Sequence, residues 1–144
     1  MIKQAANAPK YRVFIFFENE DIKNLLRKAL KKRGYDISVY IKPERCINYA
    51  ASEFRLCLSA RACADIIIMG RHIVEIKSLD FIERQIKGKC KVPLENKLII
   101  SGTFDELDTA RAKALGVRIM HMPFTLTELY KWFDGCEERL KKMK

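Results

Sequence analysis

Five short apolar runs, each followed by a stretch with helical spacing, constrain this chain more than any other feature. The runs are YRVFIFF at 11–17, the alternating segment 35–41, ADIIIM at 64–69, KLII at 97–100 and the segment 117–122. Rich in aromatic and β-branched residues, they read as strands, and the continuous ones as strands buried on both faces. After the first, Ile22, Leu25, Leu26, Ala29 and Leu30 recur at helical spacing. Glu18, Asn19, Glu20 and Asp21 supply its N-cap and acidic first turn, and Gly34 stops it after Lys31, Lys32 and Arg33. Further helices are expected over 46–58, with a blurred end, over 79–86, over 105–115 before Gly116, and over 126–142. The last carries Leu129, Trp132, Phe133, Cys136 and Leu140 on one face.

Strands alternating with helices imply an α/β fold with a parallel sheet covered on both faces. Right-handed crossovers leave few topologies, and the flavodoxin-like three-layer sandwich with strand order 2-1-3-4-5 is the expected one. In such a sheet ligands bind at the carboxyl ends of the strands. That rule points to residues 17–19, 69–71, 101–103 and 122–123.

Length and composition bound the function. A chain of 144 residues is expected to form one domain over 11–144 behind a polar tail at 1–10. Hydrophobic residues at 49% and charged residues at 32% exclude a disordered chain, and 6 Gly with 4 Pro exclude a collagen-like one. The longest uninterrupted apolar run, 66–69, falls far short of the roughly 18 residues that cross a bilayer. With no signal-peptide core in 1–10, a soluble cytoplasmic protein with no membrane partner is expected. The 28 basic residues exceed the 18 acidic ones by a net +10, which attracts nucleic acid or acidic protein surfaces. Their spread over the chain favours a solvated basic surface, and no helix-turn-helix or aromatic stacking platform accompanies them.

Cys46, Cys57, Cys63, Cys90 and Cys136 are odd in number. Without an export signal they predict buried free thiols and no disulfide framework. The closest pair, Cys57 and Cys63, is spaced wider than a zinc pair, and only His72 and His121 could assist. No metal site and no cofactor are expected.

Several segments resemble the receiver domain of bacterial two-component response regulators. RVFIFFENEDIKNLLRKALKKRGYDI is similar to that family's first strand and helix, ADIIIMG to its third strand, and KLIISG to its fourth. ALGVRIMHMPFTLTEL resembles the family's ending, in which Lys precedes Pro and Phe. The resemblance spans about residues 11–140, without a gap across 65–81 or 116–129. It implies a CheY-like fold and a phosphorylation pocket whose chemistry is mostly gone. The two carboxylates that hold a divalent ion fall on Phe17 and Glu18. The phosphoacceptor position is Gly70, the hydroxyl survives as Ser101, the lysine is Met122, the switch aromatic is Ile119, and Pro123 follows with its cis bond a family feature. One carboxylate is too few for a hard cation, Gly70 supplies no nucleophile, and Met122 supplies no charge.

Each residue also has a plainer reading. Glu18 stabilises a helix start, Ser101 makes a local backbone hydrogen bond, Arg71 and His72 belong to a solvated loop, and His121 is an exposed face residue. Trp132 and Phe133 are core, with Tyr130 beside them.

The expectation is a stand-alone degenerate receiver, a pseudo-receiver in phosphorelay signalling that is not an enzyme and takes no phosphate on Asp. It acts as a protein-interaction module toward a histidine kinase or output protein. The implied face is the fourth helix, fifth strand and last helix, with Lys113, Ile119, Tyr130, Lys131 and Arg139; a homodimer through the last helix and fifth strand is a further option. The alternatives are a basic nucleic-acid-binding protein and a small-ligand-binding regulatory protein.

Overall fold

The computed structural model describes residues 11–44, 46–50 and 55–143. The tail expected over 1–10, and part of the helix expected over 46–58, lie outside the described residues. In chain order the elements are β1 (Arg12–Phe16), α1 (Glu20–Lys31), β2 (Asp36–Tyr40), α2 (Ile47–Ala50), β3 (Ile66–Met69), β4 (His72–Ile73), β5 (Ile76–Lys77), α3 (Ser78–Lys87), β6 (Lys97–Ser101), α4 (Glu106–Leu115), β7 (Arg118–His121) and α5 (Leu126–Lys142). A 3-10 turn, Leu94–Asn96, leads into β6.

The main sheet is parallel, with order β2-β1-β3-β6-β7. This is the flavodoxin-like order expected from the sequence, β6 and β7 being its fourth and fifth strands. Alternation along each strand sorts side chains into two cores. Val13, Ile15 and Phe17 face one cluster together with Ile66, Ile68, Leu98, Ile100 and Met120. Leu26, Leu30, Leu129, Trp132, Phe133 and Cys136 cover it from α1 and α5. Phe16, Ile67, Met69 and Ile99 face the other cluster, covered by Leu79, Phe81 and Ile82 of α3 and Ala112 of α4. Each such side chain stabilises the fold by roughly 1.5–3 kcal/mol through removal from water.

Local signals set the helix ends. Asn19 accepts from the Ile22 backbone N–H and opens α1. Reciprocal capping boxes open α4, through Asp105 and Asp108, and α5, through Thr125 and Glu128. Gly34 and Gly116 follow α1 and α4 with φ of 79° and 88°, conformations that suit glycine. Among the described residues no helix is long and apolar enough to cross a membrane.

Three expectations are corrected. The helix over 46–58 is recorded only as α2, and residues 55–59 are irregular. There Asn48 Oδ1 of α2 accepts from the Arg55 N–H at 2.8 Å, and the Cys57 N–H donates to the carbonyl of Gly88, just after α3, at 2.7 Å, so the backbone bonds outside a helix. Leu56 and Leu58 are exposed, so a continued helix would have had little apolar face to bury. Second, His72, read as part of a solvated loop, opens the antiparallel β4–β5 hairpin. Third, the thiols are free but not all buried: Cys136 is in the core, Cys46, Cys57 and Cys90 are half-buried, and Cys63 is exposed.

Candidate functional site at the carboxyl ends of the strands

The parallel register brings the strand ends to one edge. Phe17 N–H bonds Tyr40 O at 3.3 Å, Gly70 N–H bonds Phe16 O at 3.3 Å, and Met122 N–H bonds Ser101 O at 3.0 Å. These bonds set Phe17 beside the end of β2, Gly70 beside β1, and Met122 beside Ser101 along the carboxyl edge of the sheet. Pro123 follows across a cis peptide bond.

The edge is apolar where chemistry would need charge. Phe17 is buried in the α1–α5 core, and Met122 packs against the same cluster. A Cβ placed on Gly70 would lie 3.2 Å from Phe17 Cε1, so the ring occupies the space beside the absent side chain. Glu18 is exposed. It precedes the N-cap Asn19, while Glu20 and Asp21 occupy the first turn of α1. Ser101 is buried, and its Oγ lies 3.0 Å from Thr103 Oγ1 and accepts from the Thr103 N–H at 3.1 Å. The hydroxyl is thus engaged in the local turn.

Sequence reading missed the ionic network beside Gly70. Arg71 extends toward the start of α4, where its guanidinium meets Asp108 at 2.8 Å and Asp105 at 3.4 Å. Asp108 is buried, so its charge needs this partner. The backbone hydrogen bond from Asp108 and the charge of Arg71 hold Asp105 below the usual carboxylate range. These carboxylates are committed to capping and to Arg71, which corrects the view of Arg71 as part of a solvated loop. The hairpin is closed at its base by Ser78, whose N–H donates to Arg71 O at 2.9 Å and whose hydroxyl donates to Gly70 O. His72 is exposed on β4, and His121 is exposed with its ring edge-on to Phe104 at 5.2 Å. Among the described residues no group of three or more His, Cys, Asp or Glu side chains stands close enough to hold a metal ion.

The expected interaction face is only partly a surface. Lys113 on α4 and Lys131 on α5 are exposed, and Ile119 is half-buried beneath the α4 side. Tyr130 instead turns to α1: its hydroxyl donates to Ala29 O at 3.0 Å, and the Arg33 guanidinium lies 5.2 Å from its ring centroid. Arg139, expected to be exposed, is half-buried and donates to Asn96 Oδ1 at 2.8 Å and Glu95 O at 2.9 Å. It ties α5 to the 3-10 turn before β6. Helical spacing fixes a buried stripe, but not which partners the residues at its borders meet.

Neither a protein-family model nor a curated protein sequence matches the chain. Solved structures do. The chain is similar to the chemotaxis protein CheY4 of Vibrio cholerae, with 16% identity and a TM-score of 0.62 over 87% of this chain and 97% of that one. It is similar to the signal receiver domain of an HD-domain-containing protein from Pseudomonas fluorescens, with 16% identity and a TM-score of 0.70 over 95% and 92%. The non-phosphorylated HemR receiver domain of Leptospira biflexa gives 16% identity and a TM-score of 0.67 over 88% and 94%. These likenesses establish the receiver-domain fold.

Proposed function

We propose that this chain is a degenerate receiver that works as a non-enzymatic protein-interaction module in cytoplasmic bacterial signalling and accepts no phosphoryl group on aspartate. One observation carries the reading: the residue at the end of β3 is Gly70, with the Phe17 ring 3.2 Å from where its Cβ would stand. Phosphoryl transfer needs a nucleophile and cations aimed at the moving charge. At this edge an aromatic ring takes the place beside the glycine, Met122 supplies a thioether where a cation would be needed, and the neighbouring carboxylates already serve Arg71. The partner is a histidine kinase or output protein, met on the surface that Lys113 and Lys131 leave open.

The test is incubation of the purified chain with acetyl phosphate and magnesium, followed by intact-mass and peptide mass spectrometry. The expected result is an unmodified chain. A stoichiometric aspartyl phosphate next to β3 would overturn the reading.

A further inference from the structure

On the face of the sheet opposite Phe17 lies a cavity of about 810 Å³. Among the described residues, Phe14, Phe16 and Ile67 wall it from the sheet, and Phe81 from α3. Tyr40, at the end of β2, lines it too, its ring stacked on Phe16 at 5.8 Å and edge-on to Phe14 at 5.6 Å. The cavity stands beside the four-residue α2 and the irregular residues 55–59. From that irregular stretch Leu56 and Leu58 line it while being 55% and 89% exposed. Aromatic walls, this volume, and apolar side chains left in water at the rim are the marks of a small-molecule site.

The polar groups around the cavity are chiefly donors and cations. Gln85 of α3 is 2% exposed and lines it. Its Oε1 accepts from Lys97 Nζ at 2.8 Å. An ammonium only donates, so this bond fixes the amide with its oxygen toward Lys97 and its NH2 turned away. That NH2 meets Cys46 Sγ at 3.9 Å, and a thiol is a weak acceptor for one of its two N–H groups. Cys46 lines the cavity as well, so the amide presents N–H groups on the wall. Lys42, Arg61 and Lys91 complete the lining against one carboxylate, Glu44. Among the described residues neither Lys42 nor Arg61 is in an ion pair, and Lys91 donates to the Cys57 and Lys89 carbonyls at 3.3 and 3.5 Å. Arg61 and Lys91 are exposed, which puts positive charge at the mouth.

We infer that this cavity binds a small aromatic carboxylate, its ring against Phe14, Phe16 and Phe81 and its charge at Lys42 and Arg61. A ring can meet these walls edge to face or offset-stacked, whereas an aliphatic chain gains burial alone. Cations without a partner favour an acid over its neutral analogue. A cationic ligand would meet like charge at the mouth and a donor, not an acceptor, at Gln85. The inference goes beyond the proposed interaction role and holds whether or not the strand ends take phosphate.

The experiment titrates the full chain with naphthylacetate at low salt, read by calorimetry and by amide chemical shifts. Saturable one-to-one binding is expected with a dissociation constant of about 100 μM or tighter, a reasonable ligand efficiency for so small a molecule. The shifts should centre on β1, Tyr40 and α3. Naphthylethanol, which keeps the ring and drops the charge, is expected to bind about tenfold more weakly, as is octanoate, which keeps the charge and drops the ring. Naphthylethylamine should not bind. Lys42→Glu combined with Arg61→Glu is expected to abolish the advantage of the acid and leave the affinity for the alcohol unchanged. Cys46→Trp places an indole in the cavity and is expected to abolish binding of both; the charge-reversed variant tests the site without depending on how that indole packs. No saturable binding, equal affinities for acid and alcohol, octanoate binding as tightly as naphthylacetate, or shifts confined to the strand ends would overturn the inference.

Discussion

At Gly70 the contact with Phe17 decides what a substitution can restore. Gly70→Asp would add a Cβ at 3.2 Å from the ring and place a carboxylate against an apolar wall. Desolvation favours the protonated acid, which is a poor nucleophile. The single variant is therefore expected to take no phosphoryl group from acetyl phosphate, and restoration is expected to need Phe17→Asp and Met122→Lys as well. Mass spectrometry after the same treatment reads both outcomes; phosphorylation of the single variant would mean that ring and thioether are no barrier. A second residue carries a pH signature. Tyr35 is buried, and its hydroxyl donates to Glu137, which Arg33 also holds at 3.1 Å. Burial first, then the bond to Glu137, raises the Tyr35 pKa above its ordinary 10.0. The folded chain thus keeps this proton longer than the unfolded chain does. The stabilisation is complete below that ordinary value and is lost as pH rises from there through the raised folded-state pKa. Tyr35→Phe is expected to cost about 1 kcal/mol at neutral pH. In paired denaturant titrations the gap to the unaltered chain should narrow on the alkaline side, and a constant gap would exclude the linkage.

Among the elements, the joint between α2 and α3 is the most sensitive to a single methyl group. A Cβ on Gly88 would stand 2.3 Å from Arg55 O and 2.7 Å from the Asn48 amide, contacts that cannot persist. Gly88→Ala is expected to destabilise by about 2–3 kcal/mol. It should also release the segment that runs past Cys57, whose N–H donates to Gly88 O. Alkylation of Cys57 should accelerate in the native state, and an unchanged rate with unchanged stability would show that the segment is held elsewhere. This joint also marks where the sequence stopped being legible. The central strands β3 and β6 could be read because they are buried on both faces, so Ile66–Met69 shows an apolar run whatever its neighbours are. The helix α5 could be read to its ends because Leu129, Trp132, Phe133, Cys136 and Leu140 all face one core. The paired strands of the hairpin have two residues each, too few to carry a period. Residues 55–59 leave the helix expected over 46–58 through bonds of Arg55 to Asn48 and of Cys57 to Gly88, which no local pattern encodes. That Phe17, Gly70, Ser101 and Met122 stand at strand ends was legible because each closes or follows an apolar run. The Arg71–Asp108 pair joins distant parts of the chain, and only the fold brings it within reach.

For the molecule as a whole, the proposed interaction role raises the question of where this receiver fold, with Gly70 after β3, would meet a protein partner. The net charge of +10 favours an acidic partner, approached with electrostatic steering that weakens as salt rises. Not every cation on the 105–142 face contributes equally. Arg139 is spent on Asn96 and Glu95, so Arg139→Ala is expected to lower stability by about 1–2 kcal/mol, as two acceptors lose their donor. Lys113 and Lys131 are exposed, and reversing their charges should leave stability within about 0.5 kcal/mol. The paired variant Lys113→Glu with Lys131→Glu is therefore expected to weaken binding to the kinase or output partner about tenfold at low salt, mostly through the association rate. At high salt the difference should shrink. Gly70→Ser serves as the opposing control, since it alters the strand-end pocket through the Phe17 contact and leaves this face intact. Affinities measured by surface plasmon resonance across a salt series separate the two surfaces. Loss of binding in Gly70→Ser with full binding in the charge-reversed variant would move the interaction to the strand ends, and with it the case for a ligand there.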